Sequence, residues 1–441
     1  MSAIPAVGRP RPMRLPSVGE EKLGNGLRVI AARRPGVPRF ELRLRIPLAR
    51  RGQAANPARQ AVLADTLLAG TNRLSSVDIA EQAQRLGGSL AASQDVEWLV
   101  VSGSALSTNL APFLELLGEV VAGASFPAGE VAVGRERLAQ ETLLALSQPE
   151  QIARDALSRR LYPRHPYGWG TPKPEAIGRV SATAVRQLHK ERVLPAGSVL
   201  VVVGDVTADR TLATAQEVLG RWRGRVAGPH RLSAPPQPRP GGITLVSRPG
   251  AVQSNIRLGG PAVPRLHPDF PALVLTNAVY GGYFTSRLVD NIRERRGYTY
   301  SPGSGIEHRQ AASTFAVTAD VGTEVTVAAL VEIRYELGRM VAADVGQDEL
   351  DAARRYLQGT LAMSVQTQAG LSAYLAMLAT SGLGVDFLRA YPAMLEKVTV
   401  TDVRDAAEAY LAPARLATVV VGDPKAIGPG LEALDEVSQP S

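Results

Sequence analysis

The chain has 441 residues, 45% of them apolar and 20% charged, with no cysteine and a formal net charge of +8. That length exceeds one ordinary hydrophobic core and points to two domains of roughly 200 residues each, while the lack of cysteine excludes disulfides, thiolate metal sites and a cysteine nucleophile. The positive charge is nearly all arginine and is interleaved with acids, as in Arg135-Glu136-Arg137, so it forms no phosphate-tracking stripe and no nucleic-acid partner is expected. No apolar run approaches the roughly 18–20 residues of a membrane span. The stretch Met1 to Pro16 carries proline and arginine where a signal peptide would be apolar. These features point to the cytoplasm and to no membrane partner, with the periplasm and the cell exterior left open.

Taken in chain order, the elements repeat. Leu23-Gly24-Asn25-Gly26-Leu27 reads as a turn, Phe40 to Pro47 and Glu97 to Val101 as alternating strands, and Asn109–Ala124 and Ala128–Leu146 as helices. A helix opening at Val180-Ser181 then leads into the apolar strand Val199 to Val203, closed by Gly204-Asp205. The prolines at 229, 235, 236, 238 and 240 make residues 229–242 a semi-rigid, exposed linker. After it the pattern returns. Arg34-Pro35-Gly36-Val37 matches Arg248-Pro249-Gly250-Ala251, and Val199–Asp205 matches Ala417–Asp423, at offsets of 214 and 218 residues. Two homologous domains, 1–228 and 243–441, follow from this duplication. Each reads strand, strand, long helices, strand, helix, strand. Strands such as Thr314 to Ala319 and helices such as Val325–Ala342 imply an α+β class, with a largely antiparallel sheet covered on one face by helices.

One segment of the second half stands out. Tyr280-Gly281-Gly282-Tyr283 reads as a glycine loop, Phe284 to Arg296 as a short amphipathic helix through Phe284, Leu288 and Ile292, Gly297 as its left-handed stop, and Tyr298-Thr299-Tyr300 as the start of a strand. Arg293 and Tyr300 then converge from the two sides of the helix end. Gly281 and Gly282 permit close backbone approach, to a ligand or to a neighbouring strand. Arg287 can pair with Asp290 or Glu294. Arg293-Glu294-Arg295-Arg296 is equally the pattern of a solvated helix end aided by the helix dipole.

The two halves, the Gly-Gly-x-Phe-x-Ser-Arg-Leu run and the Arg-x6-Tyr spacing together resemble the M16 (pitrilysin-type) metallopeptidases, in particular the short two-domain M16B branch. Ala69-Gly70-Thr71, Leu86-Gly87-Gly88-Ser89-Leu90-Ala91 and His165-Pro166-Tyr167-Gly168 fit the same family in the same order. Active members carry H-x-x-E-H before the Gly-Thr. Its two histidines share a helix face and grip zinc, the Glu activates the bound water, and a second Glu roughly 75–80 residues on completes the ligands. The corresponding positions here are Ala61, Ala64 and Asp65, with Glu141 at the distal place. The remaining histidines, 165, 189, 230, 267 and 308, are dispersed; His165 is read as structural, beside Tyr167. The resemblance therefore implies that this chain binds no zinc of its own.

What the resemblance leaves is the pair Arg293 and Tyr300, which in the family holds the substrate backbone opposite the metal, with Gly281, Gly282, Phe284 and Arg287 beside it. It implies the non-zinc subunit of a heterodimeric M16B peptidase. A partner chain with H-x-x-E-H would carry the zinc, and the substrates would be extended peptides held in a closed chamber. A catalytically inert scaffold subunit and a stand-alone peptide-binding protein are the alternatives. The natural substrate is not legible in the residues.

Overall fold

Two six-stranded sheets, one on each side of the proline-rich segment, organise the chain in the computed structural model, which describes residues 13–50, 52–224 and 231–439. The first sheet contains β1 (Val18–Lys22), β2 (Arg28–Arg33), β3 (Arg39–Pro47), β4 (Ser89–Gln94), β5 (Trp98–Leu106) and β6 (Val199–Gly204), in the order β1-β2-β6-β3-β5-β4. The second contains β7 (Ile243–Ser247), β8 (Gln253–Ala262), β9 (Gly303–His308), β10 (Ser313–Gly322), β11 (Ala417–Gly422) and β12 (Val437–Ser438), in the order β12-β7-β11-β8-β10-β9. Five strands of each sheet correspond one to one. The sixth lies at the same edge in both: β1, antiparallel to β2, in the first sheet and β12, parallel to β7, in the second. The duplication extends to single hydrogen bonds: the Arg34 amide donates to the Gly204 carbonyl at 2.7 Å, and the Arg248 amide to the Gly422 carbonyl at 2.8 Å.

The sheets are largely antiparallel, as expected, and are made mixed by the parallel pairs β2 with β6, β7 with β11 and β12 with β7. Every residue of β6 and β11 is buried. Such unbroken apolar strands require both sheet faces to be covered. The covering is exchanged between the halves. Leu200 and Val202 face the core of the first half with Leu42, Leu44, Phe113 and Leu117. Their neighbours Val199, Val201 and Val203 pack against Leu371, Leu375 and Leu378 of the helix Gln368–Thr380, which belongs to the second half. Reciprocally, Leu157 and Leu161 of the helix Pro149–Leu161 pack on Ala417 and Val419. The expectation of one covered face fails here because a local pattern cannot show that the second cover comes from the other repeat.

Polar contacts also cross between the halves. The Glu97 carboxylate accepts the Tyr167 hydroxyl at 2.5 Å and the Gln310 amide at 3.1 Å, and the Ala311 amide donates to the Tyr167 oxygen at 3.0 Å. The described part of the proline segment, 231–242, lies mostly exposed but is pinned by buried Leu232, and the Ser233 carbonyl lies 2.9 Å from His165 Nε2. Pro229 lies outside the described residues. Among the described residues no single helix is long and apolar enough to cross a membrane; only the bent pair Gln368–Thr380 and Val385–Glu396 reaches the length and composition together.

Candidate functional site

The helix Phe270–Asn277 runs on into a wide π-type turn over Ala278–Gly282, followed by the short helix Arg287–Val289 and a second wide turn over Asp290–Arg295. The glycines thus sit inside helical structure where a loop was expected. A Cβ on Gly281 would lie 2.6 Å from the Ser304 hydroxyl of β9, and one on Gly282 2.8 Å from the Asn277 amide nitrogen. Their smallness serves contact with a neighbouring strand and with their own helix. Tyr280, Leu288 and Ile292 anchor the segment, each fully buried.

Gly297 ends the second turn at φ +65°, the left-handed value expected of it. Its amide donates to the Arg293 carbonyl at 3.0 Å, and the Tyr298 amide to the Ile292 carbonyl at 2.9 Å. The chain folds back, and Tyr300 meets Arg293. The Arg293 guanidinium carbon lies 4.5 Å from the centre of the Tyr300 ring and 4.6 Å from that of Phe284, a double cation–π arrangement. Its Nε also lies 3.3 Å from the Glu294 carboxylate. Tyr300 stands in the irregular stretch before β9, not on the strand, and is 79% exposed; Phe284 is 59% exposed. The two rings therefore hold a guanidinium at the surface, and the phenol hydroxyl beside it is open to solvent.

The other arginines of the segment are spent on structure. Arg287 pairs with neither Asp290 nor Glu294; it makes a bidentate bond at 2.7 and 2.7 Å to Glu349 on the helix Gln347–Ser364, which raises its already high pKa. Arg295 pairs with Asp290 at 2.6 Å, and Arg296 with Glu332 at 2.7 Å. Arg287 is thus a tie to a distant helix, and its partner lies 62 residues away, beyond the reach of local reading.

The positions aligned with a metal motif lie on the helix Pro57–Thr66. Ala61 lines the cavity between the halves, and Ala64 is buried in the first core. Asp65 forms an ion pair with Arg137, whose guanidinium also pairs with Glu141 at 2.7 Å. The hydrogen bonds that Arg137 donates to Glu141 and Asp65 raise its pKa. Two alanines donate nothing, and the two carboxylates already share a fixed cation. These residues do not fit zinc, and no chemical step is assigned to a metal in this chain. Among the described residues no group of three or more His, Cys, Asp or Glu side chains is placed to hold a metal ion. His165 has the structural role expected of it: it is buried, its Nδ1 accepts the Tyr167 amide at 3.2 Å, and its ring lies 4.4 Å from that of Tyr167. His230 lies outside the described residues.

A second feature escaped the sequence reading, a cavity of about 540 Å³ between the halves, bordered by Arg45, Ala61, Trp98, Tyr167, Arg309 and Thr380 among others. Burial raises the pKa of the Glu97 carboxyl in its wall, against the pull of the hydrogen bonds from Tyr167 and Gln310. The sequence held one signal for it: β3 alternates Leu42, Leu44 and Ile46 with Glu41, Arg43 and Arg45, and a polar strand face in a chain this large is a candidate cavity wall.

Comparison with known proteins places the chain. Residues 63–175 match the family described as "Insulinase (Peptidase family M16)", and residues 179–357, which include Arg293 and Tyr300, match "Peptidase M16 inactive domain". An uncharacterized zinc protease of Mycobacterium tuberculosis is 27% identical over 413 residues, covering 91% of this chain and 92% of that protein. One of Bacillus subtilis is 22% identical over 301 residues, covering 68% and 72%. Among solved structures, a peptidase M16 inactive domain from Pseudomonas fluorescens superposes with a TM-score of 0.85 at 24% identity, covering 92% of this chain and 98% of that one. A protease from Helicobacter pylori superposes with a TM-score of 0.85 at 19% identity, covering 92% and 100%. The two-domain fold, with a mixed sheet and packed helices in each half, is that of these structures, and the chain belongs to the M16 peptidase family.

Proposed function

We propose that this chain is the non-zinc, substrate-clamping subunit of a heterodimeric M16B peptidase. The observation that carries the reading is the half-buried Arg293, held between the exposed rings of Phe284 and Tyr300, in a chain whose own metal positions are Ala61, Ala64 and an Arg137-bridged Asp65. A partner with H-x-x-E-H would hold zinc and activate the attacking water. The part of this chain is different. The Arg293 guanidinium, pre-oriented by two rings, presents N–H donors to a peptide carbonyl, and the Tyr300 hydroxyl supplies a further donor beside it. Both strengthen as the carbonyl oxygen takes on charge, so they favour the transition state over the bound substrate. The substrate class is extended peptides, whose backbone can pair with a free sheet edge; β4 and β9 form such edges, one in each sheet.

The test is reconstitution. The purified chain alone should hydrolyse no peptide and hold no zinc, and adding an H-x-x-E-H partner should bring activity. In that complex Arg293→Ala should lower kcat by about 10²–10³, the usual cost of one oxyanion donor. Tyr300→Phe keeps the ring that orients Arg293 and removes only the hydroxyl, so a comparable loss there identifies the hydroxyl as a donor. Full turnover in both variants, with the complex intact, overturns the clamp.

A further inference from the structure

The cavity between the halves is of a size that holds small ligands, about 540 Å³, and its charged groups are unequally satisfied. Glu97 accepts Tyr167 and Gln310; Asp155 accepts Gln151 at 2.9 Å and the Thr171 amide at 2.9 Å. Glu307 pairs with Arg309 at 2.7 Å, and Arg309 also lies 4.6 Å from the centre of the Tyr167 ring. Asp95 spends one carboxylate oxygen on the amides of Glu97 and Trp98. The acids of the wall are therefore occupied from within the chain.

Arg45 is the exception. Its side chain is only 21% exposed, yet its nearest carboxylate, Asp95, stands 3.9 Å away. Its one hydrogen bond among the described residues goes from Nη1 to the Thr380 hydroxyl at 3.4 Å, and its guanidinium carbon lies 5.7 Å from the Trp98 ring centre. A guanidinium offers five N–H donors in a planar fork that matches a carboxylate. A half-satisfied cation in a partly dry site gains more from an incoming anion than a solvated one does. Burial accordingly lowers the pKa of Arg45, with Asp95 and Glu97 only partly offsetting it.

We infer that Arg45, backed by Trp98 and Thr380 across the junction of the halves, is a binding site for the carboxylate of a short peptide. A peptide suits the place better than a small acid because Gln94, at the end of the edge strand β4, lies in the same wall and carries backbone groups for a ligand with amides of its own. The carboxylate can be a chain terminus or an acidic side chain. The site belongs to this chain alone and needs no catalytic partner, so it stands or falls separately from the clamp at Arg293.

Calorimetric titration of the isolated full chain tests it with three probes: N-acetyl tetra-alanine as the free acid, the same peptide as its C-terminal amide, and that amide with Asp at its third position. The free acid should bind about 10- to 100-fold more tightly than the plain amide, as expected for a charge-assisted fork. Arg45→Met, close in volume but uncharged, should abolish the difference. Recovery of affinity by the Asp-containing amide marks a site for any carboxylate; its failure to recover, with the free acid still bound, marks a terminal one. Equal affinity of acid and amide for the wild-type chain, binding of neither, or a preference that survives Arg45→Met overturns the inference. The acid–amide comparison needs no variant, so poor folding of Arg45→Met leaves the test standing.

Discussion

Arg293 illustrates how little of a side chain's role lies in its charge alone. Four arginines occur between positions 287 and 296, and three of them are tied to Glu349, Asp290 and Glu332. Arg293 has only a single contact to Glu294, at 3.3 Å, and faces two aromatic rings, which orient the guanidinium without using up its donors as a bidentate carboxylate does. The spacing of Arg293 and Tyr300 around a glycine was legible in the sequence; the part of Phe284 as the second ring was not, since only the folded turn brings it there. His308 carries a separate test. Burial, aided by the charge of Arg265, lowers its pKa from 6.5 to about 4. A histidine held neutral in the fold contributes stability that is present above pH 6.5 and lost as the pH falls from there through about 4. His308 Nδ1 lies 2.9 Å from the Ser313 hydroxyl, a contact that a glutamine amide can replace, so the melting temperature of the wild-type chain should drop more steeply across that window than that of His308→Gln. Parallel curves would show that His308 does not titrate as described.

At the scale of the element, the turn over Asp290–Arg295 works because Gly297 accepts a left-handed conformation at φ +65°. A Cβ there would meet nothing within 4 Å, so Gly297→Ala isolates backbone strain from crowding. The expected cost is about 1 kcal/mol, measurable as a lowered midpoint in urea with an unchanged slope. Gly297→Val should cost more, because β-branched residues tolerate that region worst. If Gly297→Ala proves neutral, the glycine is not what turns the chain toward Tyr300. The element boundaries follow the same division between local and distant causes. The helices expected at Asn109–Ala124, Ala128–Leu146 and Val325–Ala342 occur as Leu110–Gly123, Ala128–Ser147 and Thr326–Ala342, because their period and end signals are local. The glycine pair was misread as a loop, because the tight contact of Gly281 with Ser304 comes from a strand some twenty residues further on.

At the scale of the molecule, the exchanged helices make the two halves interdependent. Leu375, 2% exposed, belongs to the second half yet packs against the first sheet. All three tryptophans, Trp98, Trp169 and Trp222, lie in the first half. Leu375→Ala should therefore lower the urea midpoint seen by tryptophan fluorescence, by about 2–5 kcal/mol of stability, although the substitution lies about 150 residues beyond the nearest of them in sequence. An unchanged tryptophan transition, with only the second half weakened, would mean that the halves unfold separately. The same exchange builds the cavity at Arg45, since Thr380 ends the helix that crosses over.

Local chemistry in the sequence made legible the duplication, the α+β class, the absence of histidine at Ala61, Ala64 and Asp65, and the glycine stop between Arg293 and Tyr300, because periodicity, capping and residue type act over a few positions. Only the tertiary structure decided the parallel pairing of β2 with β6 and β7 with β11, the helix exchange, the use of Arg287 on Glu349, the Arg137 bridge between Asp65 and Glu141, and the half-satisfied Arg45. Apart from the contact of Arg137 with Glu141 one turn on, each of these depends on a partner about fifty or more residues distant. Burial and charge select among such partners only when the whole chain is packed.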